Sequence, residues 1–322
     1  VRFLTNLKLA GTRSFRLAAS QLFGYGGNCQ NADKETIDWA EAPEGWRIVQ
    51  VDQAGAEALV VSYLTRPGKY RALFDNGVKA HTYIALHIFI DKFRGEFNPT
   101  RYWLADPKVL RALPEWKELA ARIAESKFEY DIGKRTGHSG NYEVGPNTFR
   151  TAALKDSEGS LNLSLEEATF FLATYKQLFP EIVEWQQETK EIIRTTRLLR
   201  NLFGYPRRFE RPITDSYLRE AISWVPQSTV GCITHHAYAE VTDRILRERL
   251  PWRLFSNKHD SFAALVPEDH VAEAAGAMTK AINIPLVGRD GAQFTMRSEV
   301  QVGCNMKKAG KTNPNGLKDY KL

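Results

Sequence analysis

Arg47-Ile48-Val49-Gln50-Val51-Asp52 alternates apolar and polar side chains and stops on an aspartate. A period of two belongs to a β-strand with one buried face. Its counterpart lies far along the chain, in Arg253-Leu254-Phe255-Ser256-Asn257-Lys258-His259-Asp260-Ser261-Phe262-Ala263-Ala264-Leu265-Val266. That stretch reads as strand, tight turn, strand, with His259-Asp260 at the turn. If the two elements share one sheet, the carboxylates of Asp52 and Asp260 converge at its edge. Two hard carboxylates with open coordination suit Mg²⁺ when substrate phosphates supply the remaining ligands. Either aspartate alone is ordinary turn chemistry, so the weight falls on what accompanies the pair.

Between these strands the apolar spacing is helical. It turns so from Ala54 to Leu64 and again between Lys79 and Glu125, broken at Asn98-Pro99 and Asp106-Pro107. Ser164-Leu165-Glu166-Glu167 opens a helix with a capping box, running to about Phe179. Pro180 starts another towards Leu199, and a long one spans about Asp215 to Leu250 with Pro226 as a kink. The N-terminal 40 residues, rich in Gly, Asn and Ser, read as loops. From Lys307 the lysine-, glycine- and proline-bearing end reads as a mobile basic tail. The class is α+β, with strands near both ends and helices between.

Composition bounds the rest. The 322 residues allow two domains or one large one, and 43% hydrophobic with 25% charged residues is ordinary for a globular chain. Apolar runs fall well short of a membrane span. Cys29, Cys232 and Cys304 are widely spaced, which excludes a disulfide framework and a four-cysteine zinc site and fits a reducing compartment. The chain begins on Val1, the expectation being a processed or excised fragment. A net charge of +6 fits a polyanionic partner without requiring one.

Three groups accompany the aspartates. Lys134, His138 and Tyr142 recur every four residues, one face of a helix on which a cation can meet triphosphate oxygens and a ring can stack on a base. Gly133, Gly137 and Gly140 count against that helix. Arg219, Ser223 and Gln227 repeat the spacing, a face able to bond the sugar edges of a duplex. Arg13 and Arg16, then Asn28-Cys29-Gln30-Asn31, are loop residues that suit backbone and minor-groove contacts, and equally suit turns.

In order, these segments resemble family A DNA polymerases, the group of bacterial DNA polymerase I and its phage relatives. Arg16-Leu17-Ala18-Ala19-Ser20 with Asn28-Cys29-Gln30-Asn31 resembles GRLSS…NLQN, and Val51-Asp52-Gln53-Ala54-Gly55-Ala56-Glu57 resembles motif A, DYSQIE. Lys79-Ala80-His81-Thr82 is similar to D-I-H-[RT], and Lys134 to Tyr142 to motif B, K-xxx-[FY]-G-xx-Y. Gly204-Tyr205-Pro206-Arg207-Arg208 resembles the G-R-R-R turn, and Arg219 to Thr229 the R-xxx-N-xxPxQGT stretch. His259-Asp260-Ser261 is similar to motif C, HDE, and Val302 to Met306 to G-x-NW. The resemblance covers nearly the whole chain.

It implies a right-hand polymerase core: an antiparallel palm sheet with mostly helical fingers. Residues 1–62 and 205–306 would be palm, 63–204 fingers with motif B near 127–143, and 307–322 a basic tail. Thumb and exonuclease would precede residue 1, leaving room for a thumb or processivity partner in another segment or chain. Asp52 and Asp260, with the Gln53 carbonyl, would hold two Mg²⁺ ions, Mn²⁺ being an alternative. One ion would activate the primer 3′-hydroxyl and the other steady the triphosphate. Lys134 and His81 would bind the incoming deoxynucleoside triphosphate, with His138 against the nucleotide. Glu57, bonded to Tyr142, would be the steric gate against a ribose 2′-hydroxyl. Arg16, Asn28, Gln30, Arg207, Arg219, Ser223, Gln227 and His259 would contact primer-template DNA. The implied location is the cytoplasm of a bacterial cell or phage-infected host, with no membrane partner.

The departures are specific. Tyr130 stands where motif B carries an arginine, leaving Lys127 or Arg135 to substitute for that cation. Glu143 stands for a glycine, Ser261 for the motif C glutamate, Ser223 for asparagine and Gln53 for tyrosine. A fingers insertion is expected near residues 91–126. Competing readings are a catalytically impaired primer-template binding module and, since single-subunit phage-type RNA polymerases carry HDS, an RNA polymerase or a polymerase with relaxed sugar selectivity.

Overall fold

A computed structural model describes residues 6–8, 18–20, 40–93 and 107–322. The short strands β1 (Asn6–Lys8) and β2 (Ala18–Ser20) pair antiparallel. β3 (Trp46–Gln53) is the strand read from its alternation: Val49, Val51 and Gln53 are buried, whereas Gln50 and Asp52 are partly open. Gly55, in the left-handed conformation at φ 62°, turns the chain into α1 (Ala56–Leu64).

Helices α2 (Lys69–Asp75), α3 (Ala80–Ile88), α4 (Ile90–Phe93), α5 (Pro107–Ala112) and α6 (Pro114–Glu125) follow. Next come α7 (Lys127–Asn141), α8 (Pro146–Asp156), α9 (Leu165–Leu178) and α10 (Pro180–Thr196). The predicted capping box is in place: Ser164 Oγ accepts from Glu167 N at 3.1 Å, and Glu167 Oε2 accepts from Ser164 N at 2.8 Å. α10 stops three residues short of Leu199 because Arg197 takes a left-handed φ of 56°. The chain then forms a hairpin that the sequence reading missed, β4 (Leu198–Arg200) with β5 (Pro206–Arg208). α11 (Asp215–Glu248) runs through Pro226 as one element. β6 (Arg253–Lys258), β7 (Ser261–Pro267), α12 (Val271–Ile282), β8 (Pro285–Val287), β9 (Gln293–Thr295), β10 (Ser298–Gly303) and β11 (Lys318–Asp319) complete it.

The central sheet is antiparallel throughout, in the order β11-β10-β3-β7-β6. Its inner face, with Val49, Val51, Phe262 and Val300, joins α11 and α12 in the main core. The opposite face carries a small second cluster of Ile48, Ala263 and Leu317, with Leu265 and Met306 packed against it.

Two expectations change here. The glycines of α7 are compatible with helix because they are its packing face. A Cβ at Gly133 would meet the His81 carbonyl oxygen at 2.3 Å, and one at Gly140 the Tyr175 ring at 2.2 Å. The helix propensity lost at each glycine, about 1 kcal/mol, is offset by close approach to α3 and α9. The C-terminal segment is a folded part of the sheet layer. Leu317 N donates to the Lys307 carbonyl at 2.8 Å, Cys304 N to that of Asn315 at 2.7 Å, and Tyr320 N to that of Val300 at 2.8 Å. Leu317 is buried, which supplies the apolar anchor that lysine content alone does not reveal.

Candidate active site

The sheet register brings the two aspartates together. Asp52 lies opposite Ser261 on β7 and opposite Glu299 on β10, and Asp260 immediately precedes Ser261. Gln53 N donates to the Asp260 carbonyl at 3.0 Å. The β6–β7 connection is a two-residue turn, His259-Asp260, closed by the Lys258/Ser261 pair. His259 has a positive φ of 29°, a conformation in which non-glycine residues are strained. The hydroxyl of Thr234 on α11 donates to its carbonyl at 3.0 Å, pinning the turn from behind. The Gln53 side chain also turns inward, donating to Thr234 Oγ1 at 2.7 Å. Only its main chain faces the carboxylates.

Asp52 is held in the wrong environment for a lone anion. Its Oδ1 is buried without a hydrogen-bond partner. Burial first, then the Asp260 charge, pushes its pKa up to about 7; Glu299 adds to the rise, while the Gln53 main chain and Lys308 oppose it. A divalent cation would invert that balance. An orphaned carboxylate oxygen beside a second carboxylate is a donor set that fits a hard cation. Among the described residues there is no group of three or more His, Cys, Asp or Glu side chains arranged to hold a metal.

α7 provides the facing surface. Lys134 and His138 are exposed on one side of it, and Tyr142 is buried at its end. The Tyr142 hydroxyl donates to Glu57 Oε2, His138 Nε2 lies 3.9 Å from the same oxygen, and the His138 ring meets Tyr142 edge-on at 5.2 Å. Glu57 sits in the first turn of α1, where a carboxylate suits the helix dipole. It thus ties the Asp52 strand to the end of α7. Behind them lies a buried polar network. Tyr175 Oη donates to Asn141 Oδ1 at 2.6 Å, Asn141 Nδ2 donates to Tyr70 Oη at 3.0 Å, and Gln186 Nε2 donates to the Gly140 carbonyl at 2.7 Å.

The other end of α7 is different. Tyr130 Oη and His81 Nε2 lie 2.7 Å apart, with rings edge-on at 4.6 Å. Burial, with the charges of Lys79 and Lys134, lowers the His81 pKa to about 4. The imidazole is therefore neutral at physiological pH, and the cation on this face is Lys134. The sequence marked Tyr130 as a departure but held no signal that it pairs with His81.

On α11, Arg219 is exposed and Ser223 and Gln227 are half-buried, on a helix otherwise buried over this stretch. Arg207 differs from expectation. Its guanidinium is 2.5 Å from Glu220 Oε1 and stacks over Phe209 at 4.3 Å, whereas Arg200 and Arg208 of that hairpin are exposed. Arg16, Asn28 and Gln30, and the Arg13 region with them, lie outside the described residues, as does part of the expected insertion at 94–106. A cavity of about 400 Å³ opens between Glu143, Pro146, Leu172, Lys176, Lys190 and Arg219, away from the aspartates. There Lys190 Nζ bonds Glu143 at 2.6 Å.

Comparison with known proteins places this geometry. Over 267 residues the chain is 26% identical to the thermostable DNA polymerase I of Thermus filiformis, covering 77% of this chain and 27% of that protein. The POL domain of Pol1 from M. smegmatis, solved in complex with DNA primer-template and dNTP, superposes with a TM-score of 0.68 at 16% identity, covering 94% of this chain and 47% of that one. Both likenesses are to DNA polymerase chains, and the second is a likeness of fold. The mixed fold, an antiparallel sheet with a helical layer, is that of a POL domain. The chain spans about a quarter of the curated relative and about half of the solved chain. No protein-family model matches. Among the described residues, no helix is long and apolar enough to cross a membrane.

Proposed function

We propose that this chain is the catalytic core of a template-directed DNA polymerase, adding deoxynucleotides to a primer 3′-end and releasing pyrophosphate. The observation that carries the reading is the sheet register, which sets Asp52 beside Asp260 at the palm edge. Asp52, Asp260 and the Gln53 main-chain carbonyl are the groups that would hold Mg²⁺, with Mn²⁺ as a substitute. When bound, the ions supply Lewis-acid activation of the 3′-hydroxyl and charge stabilisation at the triphosphate.

The chain's own residues do the positioning. Lys134 meets the triphosphate as a fixed ammonium. His81, held neutral against Tyr130, offers a ring N–H and no charge. Glu57, fixed by the Tyr142 hydroxyl, presents a carboxylate edge that disfavours a ribose 2′-hydroxyl, and His138 packs beside it. Arg219, Ser223 and Gln227 supply hydrogen bonds to the primer-template that do not depend on sequence, and Arg208 adds an exposed cation to theirs. The His259-Asp260 turn, braced by Thr234, keeps the second carboxylate in place without a ligand.

Primer extension on a defined template, with deoxy- against ribonucleotides, tests this. The wild-type chain extends with deoxynucleotides, and Asp52→Ala and Asp260→Ala do not. Duplex binding without extension at any Mg²⁺ or Mn²⁺ concentration would refute it in favour of a binding module.

A further inference from the structure

The C-terminal segment has a structure of its own. From Cys304 to Leu317 the chain folds back over the outer face of the palm sheet, the face from which Asp52 projects. Met306 and Leu317 seat it on Ile48, Ala263 and Leu265. Its turn is closed by mutual Gly310–Asn313 main-chain bonds of 3.0 Å, and Asn305 and Asn313 exchange side-chain hydrogen bonds of 3.0 Å. β11 then joins the sheet edge, with Asp319 opposite Gln301. β11 ends at Asp319, and Tyr320 N still bonds the Val300 carbonyl at 2.8 Å, which holds the chain to the sheet edge one residue before Lys321.

The charge on this scaffold is one-sided. Residues 304–322 hold five lysines and one acidic side chain, Asp319, and Asp319 Oδ1 is engaged by Gln301 Nε2 at 3.0 Å. Lys308, Lys311 and Lys321 are exposed. The segment is seated on Ile48 and Ala263, on the face of β3 that Asp52 shares, so it borders the candidate active site. A polyanion approaching the aspartates along this face passes these lysines first.

We propose that Lys308, Lys311 and Lys321 form a backbone-binding surface for the nucleic-acid strand whose 3′-end meets Asp52 and Asp260. The proposal rests on the polymerase reading for the identity of that strand. Lys308 and Lys311 sit on a hydrogen-bonded loop and Lys321 two residues past a paired strand, so they grip phosphates with little of the ordering cost a loose tail would carry. Such contacts are sequence-independent and release counterions, which makes them visible in the salt dependence of binding.

The experiment is fluorescence anisotropy of a labelled primer-template duplex with the whole chain in EDTA, titrating salt. It compares wild type with the triple variant Lys308→Ala/Lys311→Ala/Lys321→Ala. A triple variant of exposed lysines elsewhere, Lys117→Ala/Lys155→Ala/Lys280→Ala, controls for net charge. The first variant is expected to lose about tenfold in affinity or more, with the slope of log K against log salt shallower by about 2–3. The control keeps most of both, and the corresponding triple arginine variant restores binding. Equal affinity and slope in wild type and the C-terminal variant, or equal losses in both alanine variants, would overturn the proposal. Because this readout needs no catalysis, it stands apart from primer extension. A wild type that binds through these lysines but never extends sinks the polymerase reading and leaves the surface.

Discussion

The two ends of the site are both desolvated, and they respond in opposite ways. At the sheet edge, Asp52 is crowded by Asp260 and Glu299 and driven towards its protonated form. At the start of α3, against α7, His81 is also driven to neutrality, but it has the Tyr130 hydroxyl at 2.7 Å. The helix end is a finished neutral pair. The sheet edge is left with a buried oxygen that no group among the described residues satisfies. Register sets the first and side-chain bonds set the second, so the two fail differently when altered.

The largest effect is expected where nothing can substitute. Asp260→Ala removes one carboxylate of the pair from a turn held through its carbonyls by Gln53 N and the Thr234 hydroxyl, so folding persists and extension falls by about 10³-fold or more, some 4 kcal/mol of barrier. Single-turnover extension rates measure this. Retention of more than a tenth of wild-type activity would show that the edge is not the reacting centre.

Next comes α7. Gly140→Ala would place a methyl 2.2 Å from the Tyr175 ring, displacing a buried side chain whose hydroxyl fixes Asn141. Overpacking of this kind costs about 1–3 kcal/mol, read as a lowered midpoint in urea. Activity should fall too, because the same network holds the end of α7 that presents Tyr142. A variant as stable as wild type would mean the helices separate easily and the glycine is incidental.

Smaller again is the gate. Glu57→Ala frees the Tyr142 hydroxyl and opens the edge of the nucleotide site. Relative use of ribonucleotides is expected to rise about tenfold or more, with deoxynucleotide KM changed less. Competition between ATP and dATP on one template measures it. Unchanged discrimination would leave the Glu57–Tyr142 bond a purely structural tie between α1 and α7.

How much of this the sequence disclosed depends on the range of the interaction. The alternation in β3 and the His259-Asp260 turn are local, and they forecast the strands that meet. The capping box at Ser164 and the bounds of α11 were equally readable. The α7 glycines misled because propensity is a property of the isolated helix, whereas Gly133 and Gly140 answer to His81 and Tyr175 across the fold. Tyr130 with His81, Thr234 behind the turn and Glu220 capturing Arg207 are contacts between distant segments, with no periodic signature. The C-terminal segment was misjudged from its lysines, since one buried leucine and a strand of two residues decide its place.

The finest test of the contrast is the pH dependence of stability without metal. Asp52 has a folded pKa of about 7 against 3.8 for its ordinary value. The folded state thus holds its proton after the unfolded chain has released one, and stability falls as pH rises from about 4 to about 7. His81 runs the other way: folded about 4 against 6.5, it confers stability above pH 6.5 that is lost on acidification towards 4. Asp52→Asn should therefore be more stable than wild type at pH 8, by on the order of 1 kcal/mol once solvent screening is counted, and the advantage should vanish near pH 4. His81→Gln should gain relative to wild type only on the acid side. Mg²⁺ at pH 8 should raise the melting temperature of wild type and leave Asp52→Asn nearly unmoved, since ligand binding stabilises only a state that holds the ligand. If Mg²⁺ stabilised both chains equally, the cation would not be relieving the crowding at Asp52, and the sheet edge would be as complete as the helix.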